Sequence, residues 1–341
     1  MRAVVYTASG AIPELVEVPA PECPYDGAVV EVRATGVCRS DWHAWKGHDQ
    51  VPLPNIPGHE FAGVVTQVGR DVASFKAGDR VTVPFVNGCG RCAYCVGGQA
   101  QVCPDQTQPG FTHPGSFAEL VAVRAADFNL VRLPDDVDFV SAAALGCRFA
   151  TSFHALTAQA GMAAGEWLVV FGCGGVGLSA VLVARALRAR VVAIDPSADA
   201  RALAKRLGAD FTLPAYDPAL VAELTQGGAH VSLDAVGSAA TAASGVRSLR
   251  RRGRHVQVGL MLAEHAEAPL PWGELVAKEL SVIGSHGMAA ADYPPMLDLI
   301  TAGRLDPKLL LGRTVGLESA GAELMAMDHP PATPGVTVVE L

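Results

Sequence analysis

The sequence predicts an α/β protein in which a doubly wound parallel sheet is joined to a discontinuous, β-rich second domain. Three observations lead there. The apolar rhythm changes near Thr151, from short alternating runs to strands that alternate with helices. A glycine-rich turn at 172–177 joins one such strand to one such helix. Beyond Ser281, the tail at 309–341 is too short to form a core of its own, so the chain must return to the first domain. A length of 341 residues suits two domains, and an apolar content of 50% excludes disorder.

Taken in order, residues 1–6 read as a strand, 28–34 and 61–68 alternate as half-buried strands do, and 78–83 is a turn feeding another. Pro19, Pro21, Pro24, Pro52, Pro54 and Pro57 mark loops between them. This half reads as an irregular, mostly antiparallel β domain. After it, strands at 167–171, 191–194, 231–236 and 255–258 alternate with helices at 176–187, 198–207 and one running to Leu249. The expected β-rich domain therefore covers 1–148 and 286–341, and the wound sheet 149–285.

Composition narrows the function. With 34 acidic against 26 basic residues the net charge is −8, which argues against a nucleic-acid binder needing a positive face. The 36 glycines keep no Gly-X-Y period, so collagen is excluded. The uncharged stretch 168–184 approaches membrane-spanning length, but four glycines near its middle make strand, turn and helix the better reading, and no membrane partner is expected. Without a signal peptide at the start, the eight cysteines are expected to be reduced and the chain cytoplasmic.

The turn Gly172-Cys173-Gly174-Gly175-Val176-Gly177 has the spacing of a dinucleotide-binding loop. Its glycines allow a tight turn, close approach of a pyrophosphate and tight helix–strand packing, while the helix N-terminus offers N–H donors. Asp195 closes the next strand, where a carboxylate accepts from a ribose diol and repels a 2′-phosphate, favouring NAD over NADP. The basic run Arg247, Arg250, Arg251, Arg252 and Arg254 reads as a solvated helix end, with phosphate binding as the alternative.

Cys89, Cys92, Cys95 and Cys103 can close a tetrahedral shell around a structural zinc. An iron–sulfur cluster is the rival, since Cys103-Pro104 ends the run as in bacterial ferredoxins, but seven residues precede the last cysteine where those proteins have three. A second set is scattered. Cys38, His59 and Cys147 are each unremarkable alone, but jointly they make a three-ligand shell with one open position, the pattern of a catalytic zinc.

Gly58-His59-Glu60, the four-cysteine lobe, the glycine turn and the Cys38-x-Ser40-Asp41-x-His43 segment together resemble the zinc-dependent alcohol dehydrogenases of the medium-chain dehydrogenase/reductase superfamily, over nearly the whole chain. The resemblance implies a GroES-like catalytic domain with a zinc lobe at 88–104, a Rossmann domain, two zinc ions per chain and NAD. It makes Cys38, His59 and Cys147 the catalytic zinc ligands, sets Glu60 behind the metal and has Asp41 orient His59. Ser40 would take the alcohol proton and His43 pass it to solvent by way of the cofactor ribose. Arg39 would meet the pyrophosphate together with Gly172, Gly174, Gly175, Val176 and Gly177, and Thr151 and Val258 the nicotinamide. The substrate would be a small alcohol, aldehyde or ketone and the assembly a homotetramer, with a dimer as the other form. Cys147, where polyol-acting relatives carry glutamate, favours the alcohol branch over a polyol or amino-alcohol dehydrogenase. The chain departs from the pattern at 48–55, which lacks a second pocket tryptophan, and at Ala200, where relatives place a basic residue.

Overall fold

The computed structural model describes residues 1–329 and 333–341. The chain divides into two units. The first comprises Met1–Ala150, Gly287–Gly303 and Leu311–Leu341, and the second Thr151–His286 with Arg304–Leu310. The expected division left everything from 286 onward with the first unit, and the segment at 304–310 departs from it for a visible reason. Pro307–Leu310 forms a single 3₁₀ turn that packs on the helix Gly175–Ala186, and Arg304 Nη2 donates to the carbonyl of Ala186 at 3.1 Å, near the C-terminal end of that helix.

In the first unit β1 (Arg2–Val5) pairs antiparallel with β2 (Glu14–Glu17). The long strand β3 (Ala28–Val37) runs antiparallel to β4 (Glu60–Val68), which pairs with β5 (Arg80–Thr82). β6 (Leu120–Val123) lies along the start of β3, and β7 (Val131–Arg132) pairs with β5. Val30, Val32, Phe61, Val65, Val81 and Val121 form one buried cluster, so the alternating residues read from the sequence do face a common core. The lobe at 88–104 contains no strand; Cys95 and Cys103 are buried with Ala100 and Ala289, and Phe128 packs against them.

In the second unit β8 (Trp167–Phe171), β9 (Arg190–Ile194), β10 (Phe211–Leu213), β11 (Ala229–Asp234), β12 (Leu249–Gln257) and β13 (Ser281–Gly284) form a parallel sheet in the order β10-β9-β8-β11-β12-β13. All five residues of β8 are buried, as a central strand covered on both faces requires. The order reverses between β8 and β11, and the glycine turn leaves the carboxyl end of β8 at this switch point, where such sheets bind ligands. Gly172 has a φ of +89°, and a Cβ on Gly177 would stand 1.8 Å from the Gly172 carbonyl oxygen; only glycine lets the helix start this close to the strand. The stretch 168–184 is thus strand, turn and helix, and no helix among the described residues is long and apolar enough to cross a membrane.

Of the basic run, Arg247 does end a helix, Ala239–Arg247, and is half-exposed, but the other four arginines are not part of it. Arg250 to Arg254 lie in β12, and their guanidinium groups are engaged. Arg254 meets Glu166 at 2.6 Å, Arg252 meets Glu279 at 3.1 Å, and Arg250 donates to the carbonyl of Gly228. Strand β14 (Leu311–Gly316) returns to the first unit and pairs parallel with β15 (Val336–Glu340), which joins the far end of β3.

Candidate metal centres and cofactor loop

Strand β3 ends at Val37, and Cys38 starts the helix α1 (Arg39–Lys46). His59 stands just before β4, and the register that pairs Gly36 with Glu60 brings these two strand ends side by side. Asp41, in the first turn of α1 and 1% exposed, ties them together. Its Oδ1 accepts from the N–H of Gly58 at 2.9 Å and lies 2.8 Å from His59 Nδ1, while its Oδ2 accepts from the N–H of Cys38 at 3.2 Å. Holding Nδ1 this way turns His59 Nε2 inward, and that nitrogen is buried with no hydrogen-bond partner.

The third member comes from a wide helical turn. Leu145–Phe149 is a π-turn between two α-helical stretches, and the Gly146 carbonyl within it accepts from the Phe85 N–H at 3.1 Å. Cys147 sits on this turn, and the sulfurs of Cys38 and Cys147 and a ring nitrogen of His59 all lie within 4.8 Å of one another. A tetrahedral zinc shell keeps its ligand atoms about 3.5–3.8 Å apart, so one ion can bridge the three with little adjustment. The charges agree. Burial opposes charge on His59, but the negative Asp41 and Cys38 outweigh it and raise its pKa well above the usual imidazole value. A hydrogen bond with Cys147 holds the Cys38 thiol well below its usual range against the effect of burial; the same bond, then burial, pushes Cys147 well up. Such a pocket favours a cation, and an unpartnered inward nitrogen beside two sulfurs is the donor set that zinc takes.

Glu60 is fully buried behind this group and does not stand alone. Its Oε1 accepts from the backbone N–H and from Nε of Arg148, each at 3.0 Å, and its Oε2 meets Nη2 of the same guanidinium. Burial raises the Glu60 pKa although Arg148 pulls it down. A Cβ on Gly36 would lie 2.4 Å from Glu60 Oε2, so the glycine makes room for the pair. The sequence reading missed Arg148. One lone charge in the otherwise apolar run 142–150 was the available signal, because such a charge needs a partner.

Ser40 Oγ lies 3.9 Å from Cys38 Sγ, and His43 is one turn further along α1. The rings of Phe85 and Phe111 stand edge-on to His59 at 6.0 and 5.3 Å; Phe111 was not singled out from the sequence. Arg39 is already engaged within the first unit. Its Nη1 donates to the Met327 carbonyl at 2.5 Å, and its guanidinium lies 4.7 Å over the Trp42 ring.

The sulfurs of Cys89, Cys92, Cys95 and Cys103 also lie within 4.8 Å of one another. Cys92 and Cys103 are 3.7 Å apart, close to the edge of about 3.8 Å expected for a tetrahedral zinc–thiolate shell. Sulfurs this close can share one ion and leave no space for a multi-iron cluster among them. The N–H of Cys95 donates to Cys92 Sγ and that of Cys89 to Cys103 Sγ, both at 3.4 Å. Backbone N–H groups from Arg91 and Cys92 bring the Cys89 pKa down to about 6, whereas burial pushes Cys95 up to about 12 and raises Cys103. All eight cysteines are unbridged.

In the second unit, Asp195 Oδ2 accepts from the Cys173 N–H of the glycine turn at 2.7 Å, and Oδ1 from the Ser197 N–H at 2.8 Å. A Cβ added at Gly174 would meet nothing within 4 Å, so the backbone of the turn is open there, as close approach of a ligand needs. Arg201 donates to the carbonyls of Asp195 and Pro196 at 2.7 and 2.8 Å. Burial pushes the Cys173 thiol up to about 12, which suits an unreactive filler. Thr151 is buried, and Val258, just past β12, donates its N–H to the Asp234 carbonyl at 3.1 Å.

Comparison with known proteins gives a concordant set. Residues 25–135 match the alcohol dehydrogenase GroES-like domain and residues 175–302 the zinc-binding dehydrogenase domain. An alcohol dehydrogenase of Geobacillus stearothermophilus is 37% identical over 298 residues, 86% of each chain. A sorbitol dehydrogenase of Halalkalibacterium halodurans is 35% identical over 319 residues, 91% of each. A crystal structure of an NAD-dependent alcohol dehydrogenase superposes over 100% of both chains with a TM-score of 0.90, at 29% identity.

The buried ion pair makes a stability prediction. Arg148→Met leaves the Glu60 carboxylate without its cation, and unfolding in urea is expected to show a loss of about 3–5 kcal/mol. Adding Glu60→Gln to that variant is expected to restore most of it; a single variant as stable as the parent would refute the pairing.

Proposed function

The chain belongs to the zinc-dependent alcohol dehydrogenases of the medium-chain dehydrogenase/reductase superfamily, and on that premise we propose that it interconverts alcohols with aldehydes or ketones by exchanging hydride with NAD. The observation that carries this reading is the buried trio Cys38, His59 and Cys147, with the inward nitrogen of His59 unpartnered. When bound, zinc supplies a Lewis acid that acidifies an alcohol hydroxyl, and NAD the hydride acceptor. The chain's own groups do the rest. Cys38, His59 and Cys147 would hold the metal, their two thiolates matching its two charges. Asp41 keeps the His59 ring turned so that Nε2 faces the sulfurs. Arg148 offsets the charge of Glu60, so that carboxylate would add little net charge to a bound metal. Ser40 would accept the hydroxyl proton and His43 would carry it outward.

Cys89, Cys92, Cys95 and Cys103 would hold a second zinc in a closed shell with a structural task. Gly172, Gly174, Gly175, Val176 and Gly177 would hold the pyrophosphate, Thr151 and Val258 would contact the nicotinamide, and Asp195 would select NAD over NADP. The eight unbridged cysteines suit the cytoplasm. A polyol dehydrogenase is the alternative, in keeping with the sorbitol dehydrogenase relative. The assembly would be a homotetramer. Supporting this, β13 is an edge strand, and Trp272 and Val276 on the nearby helix Trp272–Lys278 are 69% and 80% exposed.

Metal content, turnover, melting temperature, cofactor preference and light scattering test these readings. The parent protein is expected to hold two zinc ions per chain and to oxidise simple alcohols with NAD. Cys38→Ser should hold one ion, keep its fold and lose turnover, whereas Cys92→Ser should melt at a lower temperature. Full turnover by Cys38→Ser, or a polyol used tenfold better than any simple alcohol, would overturn the assignment. Asp195→Gly is expected to raise the KM for NAD about tenfold, the worth of a charge-assisted hydrogen bond near 1.5 kcal/mol, and to relax discrimination against NADP; an unchanged cofactor ratio would show that another group chooses. Light scattering should give the mass of four chains, lowered by Val276→Asp; a monomeric parent would sink the tetramer.

A further inference from the structure

Helix α1 ends in a way that places a second imidazole beside His43. Gly47 takes a left-handed conformation, φ +81°; its N–H donates to the Ala44 carbonyl at 3.0 Å, and the N–H of His48 donates to the His43 carbonyl at 2.9 Å. This pair of bonds folds the residue two past the helix end back onto the residue at the start of its last turn. The two side chains brought together by such a termination are commonly apolar. Here both are imidazoles, with His43 Nδ1 2.9 Å from His48 Nδ1 and ring centroids 5.2 Å apart. At that distance one nitrogen carries a proton and the other accepts it.

The surroundings fix the pair and give it a direction. The Trp42 ring stands edge-on to both imidazoles at 4.9 and 5.4 Å. Trp42 is itself held by Asp328, whose carboxylate accepts from Trp42 Nε1 at 2.7 Å and pairs with Lys46 at 2.8 Å. His43 is half-buried while His48 is exposed, so the pair leads from the less to the more solvated ring. Burial lowers the His43 pKa, and His48 and Arg39 lower it further, against Asp49 and Cys38. At neutral pH His43 is therefore in the form that can receive a proton.

We propose that His48 is the positioning and proton-carrying partner of His43, the two rings working as one outward relay. A proton received at His43 Nε2 is balanced by transfer of the His43 Nδ1 proton to His48 Nδ1, and His48 Nε2 releases its own proton to solvent. Each ring ends neutral and one proton leaves for each that enters; return to the starting tautomers completes the cycle. The source of the incoming proton rests on the alcohol dehydrogenase reading, whereas the coupling of the rings does not.

The test is His48→Gln in the zinc-loaded protein, a change that keeps a hydrogen-bonding side chain but cannot pass a proton. For alcohol oxidation, kcat is expected to fall about tenfold, short of the hundredfold or more for a lost acid–base group because water can still reach His43. The KM for alcohol is expected to stay within about twofold, and free imidazole should restore His48→Ala. Independently of turnover, nitrogen NMR of the cofactor-free protein should show the His43 titration midpoint moving up when His48 is replaced, with the acid limb of the kcat profile moving with it. Unchanged kcat in His48→Gln alongside an impaired His43→Gln would overturn the relay while leaving the enzyme reading intact. So would His43 nitrogen shifts indifferent to His48. Failure of the enzyme reading would look different, as absence of alcohol turnover in the unsubstituted protein.

Discussion

The carboxylate of Asp41 is the constraint on which the catalytic half depends. Strand pairing alone brings Cys38 and His59 near each other, because Gly36 faces Glu60 across the β3–β4 ladder. The ladder does not decide where an imidazole points. Asp41 does so, engaging the backbone on both sides of the gap together with the ring itself. Bonds to an ionised acceptor are among the stronger neutralising contacts a buried group can make, and here they act from within the first turn of the helix that also carries Ser40 and His43. One side chain thus couples the orientation of the His59 ring to the start of α1.

The two clusters of sulfur donors are assembled in different ways. In the lobe the four cysteines lie within 15 consecutive positions and the turns between them do little else, so the shell can close without help from the sheets. In the trio the donors come from a strand end, a loop and a π-turn, and the rigid framework around them sets the distances. A closed shell built locally can stabilise a lobe that has almost no core. A three-donor set built from distant elements relies on the packing around it to hold its distances.

What was legible in the sequence follows this division. The glycine turn, its flanking strand and helix, and the four-cysteine lobe are local, and consecutive residues report them directly. The trio was legible as chemistry, since a thiolate, an imidazole and a second thiolate suggest a metal however far apart they stand. Arg148 was not, because its partner Glu60 is 88 residues away and neither strand alternation nor helical spacing registers such a pair. His48 escaped notice because its importance comes from a left-handed glycine that turns the chain back. The arginines of β12 were read as a helix end because a run of like charge seldom marks a strand; here Glu166, Glu279 and backbone carbonyls absorb it.

The excursion of residues 304–310 bears on how the chain acquires its shape during synthesis. The wound-sheet unit holds Thr151–His286 as one continuous piece, yet Arg304–Leu310 belongs to it as well, on the far side of a stretch that returns to the other unit. A ribosome that has released residue 286 has delivered every strand of the sheet but not the turn that packs against Gly175–Ala186. Completion of that unit must therefore wait for residue 310 to emerge, and a fragment cut at its apparent boundary would leave the end of that helix uncovered.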